Sequence, residues 1–504
     1  MECDRCLTTQ AHSTRVSTRG NHMRRLRWIA ILFAFTLVVG ACGRSGSSTS
    51  ATTTAKPAAT GGTATGGTGS GTGSGGGTAT TTAADKCKSE ALKATEVGVT
   101  ADKITVTVMA DVGSPLAPGL FQGNVDALNS DAKYINAKGG IGCRQLEVKV
   151  FDSKLDASAS KNGDIQACGD SLAMVGGNSL FNPDVSPISG CVDKAGAATG
   201  LPDISALAND INEQCNPTTF VIQAVTEPCN VLKGYRTFKV FVGPAKYYLK
   251  NVDPALHGMF MVPGDLPTTQ QSATPQIAGQ TSVGIKFDQQ TKVSGSNTQP
   301  DYTPRVAAAK AAGDTFVYDG SNDRAFVNMR KEAKAQGLTS VKVWACSLAC
   351  YTAAFLGTGG ADVEGTYMWM QFLPFEEADL NPEATAYVNT MKADKHDADS
   401  FGAQAWQAAV AFKTVIDGIV AKSGPNAITR SAMLDALKGM KDFTANGWMG
   451  AKDLRGISNC FVLLQVQSGK FARVFPAEKG KLDCSADNVT TATVDPELAV
   501  KAFN

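Results

Sequence analysis

The side chains that hydrolases use for catalysis are scarce in this sequence. It has four histidines in 504 residues, and only His257 and His396 follow residue 41. Serine and cysteine nucleophiles normally need a histidine base, and the sequence has no G-x-S-x-G or H-E-x-x-H motif. His257 in PALHGMFMV and His396 in KADKHDADS have contexts that favour a packed or solvated histidine. We predict that the protein is not an enzyme and uses no cofactor or metal.

Cys42 is placed for another kind of chemistry, the attachment of a lipid. Residues 23–41 have the arginines, the apolar run and the small residues before cysteine that are typical of a bacterial lipoprotein signal peptide. Residues 1–22 are polar and lie before the arginine-rich region of that signal peptide. We therefore predict that they are a mis-assigned start and that the true start is Met23. A lipidated Cys42 would anchor the protein to the outer face of the cell membrane.

The ten cysteines after Cys42 have an even count, which in an exported chain favours up to five disulfide bonds. No C-x-x-C pair occurs among them, which disfavours zinc and thioredoxin-like sites. Spacing does not fix the connectivity. The pairs that are close in sequence are Cys346–Cys350, Cys215–Cys229 and Cys460–Cys484.

Composition limits the partners that the protein can have. Residues 43–84 are almost pure Gly, Ser, Thr and Ala, which predicts a flexible tether. Beyond residue 41 the chain has 41 basic and 44 acidic residues, so nothing in its charge indicates nucleic acid binding. The body of the chain has no apolar run of about 18 residues, which excludes a polytopic membrane protein. We expect a monomer.

Strands and helices alternate along the folded part, which predicts parallel sheets with crossover helices. Two such halves indicate two lobes of similar build. The first half has predicted strands at 104–110, 145–151, 171–176 and 201–207 and predicted helices at 120–137, 157–170 and 184–198. The second half has a helix capped by Thr303 and ended by Gly313, a strand in TFVYDG, a helix at 323–336, a strand in VKVWA, a helix at 403–422 and a strand in NCFVLLQV.

Ligands of open α/β sheets bind beyond the carboxyl ends of the strands. The loops at these ends are rich in Gly, Ser, Asn and Asp, which offer backbone and hydroxyl donors. The alternative is that these residues serve only as turns and helix N-caps. The loops span 111–118, 152–153, 176–179, 205–208, 319–322 and 345–347.

Several stretches resemble the branched-chain amino-acid-type solute-binding proteins of ABC transporters. They include GLFQGNVDALNSDAKYINAKGGIGCRQLEVKVFD and PDYTPRVAAAKAAGDTFVYDGS, and the resemblance covers roughly residues 96–475. It implies a type I periplasmic binding protein, an α/β fold of two Rossmann-like lobes joined by three crossing segments, with the ligand in the cleft between the lobes. The crossings would lie near 220–226, 365–371 and 448–457.

The resemblance also places the domain boundaries. Lobe one would comprise residues 102–222 and 372–447. Lobe two would comprise residues 227–364 and 458–485, and residues 486–504 would be a C-terminal tail.

The resemblance implies binding residues at the ends of the strands. Donors after the third and fourth strands of lobe one would hold a ligand carboxylate, at Asn178, Ser179, Ser205, Ala206 and Ala208. In the first loop, which carries Ser114, Leu116 stands where the family has an aromatic residue. In lobe two the family uses an aromatic and a carboxylate that holds the ligand ammonium. The corresponding residues here are Ser321 or Asn322 and Cys346 or Ser347, and none of them is acidic.

A buried ammonium group without a carboxylate costs several kcal/mol of desolvation. We therefore expect this chain to depart from standard binding of a free amino acid, with amides, small organic acids, sugars, polyols and apolar metabolites as alternatives. The expected function is that of the lipid-anchored extracytoplasmic solute-binding component of an ABC importer, which captures a small polar or amino-acid-like ligand by closure of its two lobes and presents it to a permease. The alternatives are a sensing or adhesive surface lipoprotein without a permease and, with less support, an exported hydrolase.

Overall fold

The structure is a computed structural model that describes residues 87, 90–224, 226–227 and 237–504. The predicted signal peptide, Cys42, the tether and Cys229 lie outside the described residues. Within that part, no helix is both long and apolar enough to cross a membrane.

The first sheet has five parallel strands in the order β2-β1-β3-β4-β5. Its central strands are buried, as expected for parallel strands with helices on both faces. The predicted strands of the first half are thereby confirmed. The strands are β1 (Lys103–Ala110), β2 (Gln145–Asp152), β3 (Ala173–Val175), β4 (Asp203–Leu207) and β5 (Thr219–Gln223).

The second sheet has seven strands in the order β14-β13-β12-β11-β10-β8-β9. Strands β8 to β12 are parallel, whereas β13 and β14 are antiparallel and form one edge. The strands are β8 (His257–Pro263), β9 (Lys286–Val293), β10 (Phe316–Asp319), β11 (Val343–Cys346), β12 (Tyr367–Met370), β13 (Val462–Gln467) and β14 (Lys470–Phe475).

A third sheet of three antiparallel strands has the order β15-β7-β6. Its members are β6 (Thr226–Glu227), β7 (Thr237–Phe241) and β15 (Val489–Thr493). Residues 486–504, which the sequence predicts as a tail, therefore contribute a paired strand and not only a tail.

The longest helix, Ser400–Ser423, packs against the helix Gln122–Ala137 and against β4, so it covers the first sheet. Most of its side chains are buried because its sequence is apolar on nearly every face. The α-helices are α1 (Gln122–Ala137), α2 (Ala157–Asp170), α3 (Ser186–Ser189), α4 (Ile211–Cys215), α5 (Gly243–Asn251), α6 (Pro267–Ser282), α7 (Thr303–Ala312), α8 (Asp323–Ala335), α9 (Ala353–Gly359), α10 (Pro382–Ala393), α11 (Ser400–Ser423), α12 (Arg430–Gly439) and α13 (Pro496–Ala499).

Two local predictions were wrong. The helix predicted over 184–198 is only α3, because the Asp193 carboxylate accepts the N–H groups of Ala195 and Ala197 and turns the chain instead. Thr303 is not an N-cap. It lies inside α7, and its hydroxyl donates to Glu332 Oε1 at 2.8 Å.

The third segment predicted as a crossing hydrogen-bonds to each of the other two. The Val221 N–H donates to the Leu454 carbonyl at 2.8 Å, and the Gly450 N–H donates to the Gln371 carbonyl at 3.2 Å. The Lys452 ammonium is buried and donates to the carbonyls of residues 221 and 222 at 2.8 and 3.0 Å. Its burial lowers the pKa of Lys452 to about 7. These three segments thus lie side by side.

Four disulfide bonds join described cysteines, in agreement with an oxidising compartment. The predicted pairs Cys346–Cys350 and Cys460–Cys484 are confirmed. Cys87–Cys143 and Cys168–Cys191 join residues distant in sequence. Cys229, the predicted partner of Cys215, lies outside the described residues.

Candidate functional site

A cavity of about 150 Å³ lies where the carboxyl ends of the two large parallel sheets face each other. In another protein, an engineered apolar cavity of about this volume holds a benzene molecule. We define the first wall as the lining residues at the ends of the strands of the first sheet and in the segments that follow these strands. The second wall consists of the lining residues on the second sheet and on the elements next to it. The first wall comprises Leu116, Ala117, Leu120, Phe121, Leu155, Leu180, Leu207, Asn209 and Gln223. The second wall comprises Phe260, Pro263, Asp265, Leu266, Thr269, Ser272, Ala273, Gln276, Gly295, Tyr318, Gly320, Ser321, Asn322, Ser347, Leu348, Ala349 and Trp369, and Phe401 closes one side.

The first wall owes its shape to Asp111, the residue after β1. Its buried carboxylate accepts the Ser153 hydroxyl and the Leu155 N–H, both at 2.7 Å, and the Leu180 N–H at 2.8 Å. Burial raises the pKa of the Asp111 carboxyl, and these hydrogen bonds oppose the rise. One carboxylate thus ties together the loops that follow β1, β2 and β3. Each of these loops presents a leucine to the cavity, at positions 116, 155 and 180 respectively.

The second wall has an aromatic floor. Phe260 stacks on Tyr318 with ring centroids 4.8 Å apart, and Trp369 lines the cavity with them. Tyr318 and Trp369 are at most 5% exposed. Burial raises the pKa of Tyr318 to about 12, so its hydroxyl stays protonated at neutral pH and can donate or accept.

Two amide groups of the first wall are free to bind a ligand. Asn209 Nδ2 and Gln223 Nε2 are buried, and neither makes a hydrogen bond with any residue that the structure describes. The oxygen atoms of the same amides are used, because Ser272 Oγ donates to Asn209 Oδ1 at 3.0 Å and Gln404 Nε2 donates to Gln223 Oε1 at 2.5 Å. Buried donors without partners are costly. The cavity therefore favours a ligand that brings an oxygen acceptor.

Charge is nearly absent from the lining. The only ionisable acid or base among the lining residues is the exposed Asp265, apart from the phenol of Tyr318. Asp265 Oδ2 already accepts the Gly295 N–H at 2.8 Å. The lining is otherwise apolar side chains, hydroxyls and amides. It suits a small uncharged or weakly polar body better than a doubly charged amino acid.

The structure places the predicted residues of the first sheet behind the cavity, although their loops reach it. Ser179 Oγ pairs with Ser160 Oγ at 2.8 Å, and Ser205 Oγ donates to the Leu207 carbonyl at 3.1 Å. Leu180 and Leu207 line the cavity in place of these serines. The predicted residues that are buried and outside the lining are Ser114, Asn178, Ser179, Ser205, Ala206 and Ala208.

The predicted residues of the second sheet do line the cavity, as does Leu116. Ser321, Asn322 and Ser347 lie in its lining, and two of them also cap helical turns. Asn322 Oδ1 accepts the Ala325 N–H at 2.9 Å, and Ser347 Oγ accepts the Ala349 N–H at 3.3 Å. The N-cap interpretation therefore holds for Asn322 and Ser347, and the role of these residues as ligand donors stays a prediction.

The sequence reasoning missed the residues that α6 contributes and most of the aromatic floor. Thr269, Ser272 and Gln276 recur at helical spacing in PTTQQSATPQ and line the cavity on one face of α6. Such a polar stripe on an otherwise buried helix is the signal that could have identified them. Trp369 could be suspected from its place in a predicted crossing.

The two walls are in direct contact. The Thr268 hydroxyl on α6 donates to the Leu180 carbonyl at 2.7 Å. Gly295 approaches the first wall so closely that a Cβ atom there would lie 2.3 Å from the Leu116 carbonyl oxygen. A residue with a side chain at position 295 would push the walls apart.

Comparison with protein families gives a match over residues 103–470 to the family model described as periplasmic binding protein. Comparison by sequence with curated proteins gives no match.

Several solved structures have the same fold, and nearly the whole length of each aligns with this chain. A leucine binding protein, LivK of Thermotoga maritima, is 13% identical with a TM-score of 0.57 and covers 73% of this chain and 97% of its own. LivJ of Streptococcus pneumoniae, in complex with isoleucine, is 12% identical with a TM-score of 0.57 and covers 78% and 100%. A solute binding protein of R. palustris, in complex with benzoate, is 13% identical with a TM-score of 0.57 and covers 77% and 97%. At these identities the likeness concerns the fold.

Proposed function

Because this chain belongs to the periplasmic binding protein family, a family of binding proteins and not of enzymes, we propose that it is the solute-binding component of an ABC importer. Its cavity would take up a small molecule between two lobes, and the loaded protein would deliver it to a permease. The relatives of the same fold bind small molecules of this size, isoleucine in one case and benzoate in another. The residue ranges given above for the two lobes are part of this proposal.

The chemistry of the first wall carries the proposal about the ligand. Five leucines, at positions 116, 120, 155, 180 and 207, face the aromatic floor of Tyr318 and Trp369. Burial of apolar ligand surface between them is favourable by about 25 cal/mol per Å². The amide donors of Asn209 and Gln223 would hold one oxygen acceptor. We therefore propose a compact apolar molecule with a carbonyl or carboxyl oxygen.

The same cavity argues against a free α-amino acid. Its only ionised carboxylate, Asp265, is exposed and already accepts a backbone N–H. An ammonium group in the interior would be left without a partner, which costs several kcal/mol. Leucine should therefore bind worse than the acid or the amide with the same carbon skeleton.

We propose that the protein works at the outer face of the cell membrane. Lipidation of Cys42 would anchor it, and residues 43–84 would let it reach a permease, with an r.m.s. span of roughly 35 Å for a Gly-rich chain of this length. Replacement of Cys42 by alanine should move the protein from the membrane fraction to the soluble fraction. Retention in the membrane fraction would contradict the anchor.

The ligand class can be tested by thermal shift with matched compounds. The panel is leucine, 4-methylpentanoate, 4-methylpentanamide, benzoate and benzamide. A compound at 100 times its dissociation constant adds about 2.7 kcal/mol to the free energy of unfolding. We expect a shift from at least one acid or amide and a smaller shift from leucine. A shift from leucine alone would overturn the proposed ligand class while leaving the binding function intact.

A matched pair of variants tests the amide donor. Asn209→Ala removes an unpartnered Nδ2 from a residue that lines the cavity, whereas Asn212→Ala removes one that donates to the Pro183 carbonyl away from it. Loss of one neutral hydrogen bond costs about 0.5–1.5 kcal/mol, so the affinity of the compound with the largest shift should fall about 2- to 10-fold in Asn209→Ala only. Equal affinity in all three proteins would contradict the role of Asn209.

A further inference from the structure

A second group of ligand-forming side chains lies far from the cavity, at the opposite end of the second sheet. His257 is the first residue of β8, and Pro263 at the other end of the same strand lines the cavity. Asp288 lies on the neighbouring strand β9, and Asp314 precedes β10 on the other side of β8. Three adjacent strands thus each bring one potential metal ligand to this end of the sheet.

The three side chains converge on one point. One ligand atom from each of His257, Asp288 and Asp314 lies within 4.8 Å of the other two. The closest pair is His257 Nδ1 and Asp288 Oδ2, at 2.5 Å. His257 and Asp288 are partly exposed, with 32% and 43% of their side chains accessible, so the group can be reached from solvent and both side chains have room to adjust.

The ion pair between His257 and Asp288 does not account for the buried carboxylate of Asp314 beside it. Asp314 is 0% exposed, and its Oδ1 has no hydrogen-bond partner within the described part of the chain. Its Oδ2 accepts only a long hydrogen bond from Gln289 Nε2, at 3.3 Å. A buried carboxylate needs a charged or donating partner. The partly exposed side of the group, where His257 and Asp288 lie, is where such a partner can enter.

The backbone holds these residues in place. The register of β8 and β9 shifts between Gly258 and Met259, which pair with Phe287 and Gln289, so Asp288 is the extra residue of a β-bulge. Bulges re-aim side chains and are frequent beside functional sites. On the other side, the His257 N–H donates to Thr315 Oγ1 at 3.1 Å and the Thr315 N–H donates to the His257 carbonyl at 2.9 Å.

We propose that His257, Asp288 and Asp314 form a binding site for a divalent transition metal ion, with Zn²⁺ as the representative ion. An imidazole nitrogen with two carboxylates is a donor set that suits zinc and related ions, whereas calcium and magnesium prefer oxygen ligands alone. The ion would supply the missing partner of Asp314. Water would fill the remaining position on the exposed side.

The geometry needs only small side-chain movements. Zinc bonds to nitrogen and oxygen are about 2.0–2.2 Å long, which separates tetrahedral ligand atoms by about 3.3 Å. His257 Nδ1 and Asp288 Oδ2 would have to move slightly apart, and the exposed Asp288 side chain can do so. A bound ion would link the N-terminal ends of three strands and would stabilise the folded protein. It would not contact the ligand cavity.

The chain contains a matched control. His396 Nδ1 lies 3.3 Å from Asp126 Oδ2, which is a second histidine–aspartate pair. This pair belongs to no three-residue group of metal ligands among the described residues. If a partly exposed histidine beside an aspartate were enough to bind zinc, His396 would bind it as well as His257.

The test is zinc titration of the full-length protein, purified without metal affinity and stripped with EDTA. Isothermal calorimetry should give about one Zn²⁺ per chain in the wild type. His257→Ala and Asp288→Asn should each weaken zinc binding by at least about tenfold, as should Asp314→Asn, whereas His396→Ala should leave it within twofold. Zinc should also raise the melting temperature of the wild type and of His396→Ala but not that of His257→Ala.

Three results would overturn the site. They are the absence of zinc binding in the wild type, an equal loss of zinc binding in His396→Ala, and binding of Ca²⁺ as tight as that of Zn²⁺. Because His257 and Asp288 are partly exposed, their variants are expected to fold, and circular dichroism of the stripped proteins checks that they do.

Discussion

The two walls of the cavity occupy equivalent positions, each at the carboxyl ends of parallel strands, yet they differ in what they offer a ligand. In the first wall many polar groups after the strands bond to one another, as with Asp111 and the loops after β1, β2 and β3, and leucines make up most of the lining beside the amides of Asn209 and Gln223. In the second wall the polar and aromatic groups themselves line the cavity, among them Tyr318, Asn322 and Trp369. A strand end fixes where a loop lies but not which of its residues faces the ligand.

The largest expected effect comes from the aromatic floor. Trp369→Ala removes a buried aromatic that packs on Phe241 with ring centroids 5.0 Å apart, and this should lower the free energy of unfolding by about 3–5 kcal/mol. It should also abolish detectable binding of the best compound of the panel. The control is Trp344→Ala, since Trp344 is half-buried beneath Arg330 and outside the cavity. If both variants bind equally well, the second wall does not contact the ligand as proposed.

The next test separates stability from binding through two disulfides. Cys346–Cys350 encloses Ser347, Leu348 and Ala349, which all line the second wall, whereas Cys168–Cys191 braces the first sheet away from the cavity. In the chain-entropy account, replacement of both cysteines should lower the free energy of unfolding by about 2 kcal/mol for Cys346–Cys350, which closes a short loop, and by about 3 kcal/mol for Cys168–Cys191, which closes a longer one. Affinity should fall only when Cys346 and Cys350 are replaced by alanine. A loss of affinity on replacement of Cys168 and Cys191 only would contradict the proposal that residues 347–349 contact the ligand.

A pH experiment examines the interior behind the first wall. Burial raises the pKa of Asp164 to about 8 and that of Asp203 to about 7. The folded state therefore holds more protons than the unfolded state, so the free energy of unfolding should fall as the pH rises from about 4 to about 8. Asp164→Asn should flatten that slope in melting curves. The exposed Asp184, whose pKa is lowered to about 2 chiefly by its hydrogen bond with Lys161, supplies the control Asp184→Asn, which should keep the slope.

The smallest effect on affinity is expected at Ser179, which the sequence predicts as a ligand-binding residue. Ser179→Ala breaks a buried hydrogen bond with Ser160, which should cost about 1 kcal/mol of stability and leave ligand affinity within twofold. Ser347→Ala in the second wall should lower affinity more than it lowers stability. Thermal unfolding and calorimetry on the two variants measure both quantities. A loss of affinity in Ser179→Ala greater than in Ser347→Ala would restore the first-wall serines as ligand contacts.

The sequence allowed the fold to be predicted well because its periodicities are local. The helix 157–170 was predicted at its observed bounds, where the Asp156 side chain caps the first turn by accepting the Ala159 N–H at 2.8 Å. Disulfides between cysteines close in sequence, such as Cys346–Cys350, were the natural pairings to expect, although spacing alone leaves the connectivity open. Cys87–Cys143 could not be predicted in this way, because the two cysteines meet only once the fold is complete.

In the first wall, two serines predicted from the sequence lie one or two positions before the residues that line the cavity. Ser179 was expected where Leu180 lines the cavity, and Ser205 where Leu207 does. The reason is physical. The hydroxyls of both serines find partners inside the protein, in Ser160 and in the Leu207 carbonyl, and no local pattern reveals a hydrogen bond made across the fold. The absence of an acid at 321, 322, 346 and 347 was, by contrast, visible in the sequence itself, whereas Asp265, the one acid of the second wall, was not expected there.

The contact between the walls has a consequence for the rate at which the cavity exchanges its contents. Thr268 Oγ1 bonds the Leu180 carbonyl, and Ser272 Oγ bonds Asn209 Oδ1. Each hydrogen bond is worth about 0.5–1.5 kcal/mol, so together they favour contact of the walls over their separation by roughly 5- to 150-fold. If exchange of a ligand requires the walls to separate, the same two bonds limit how often a molecule enters and how often it leaves. The residence time of a bound molecule would then depend partly on two hydroxyl groups of α6.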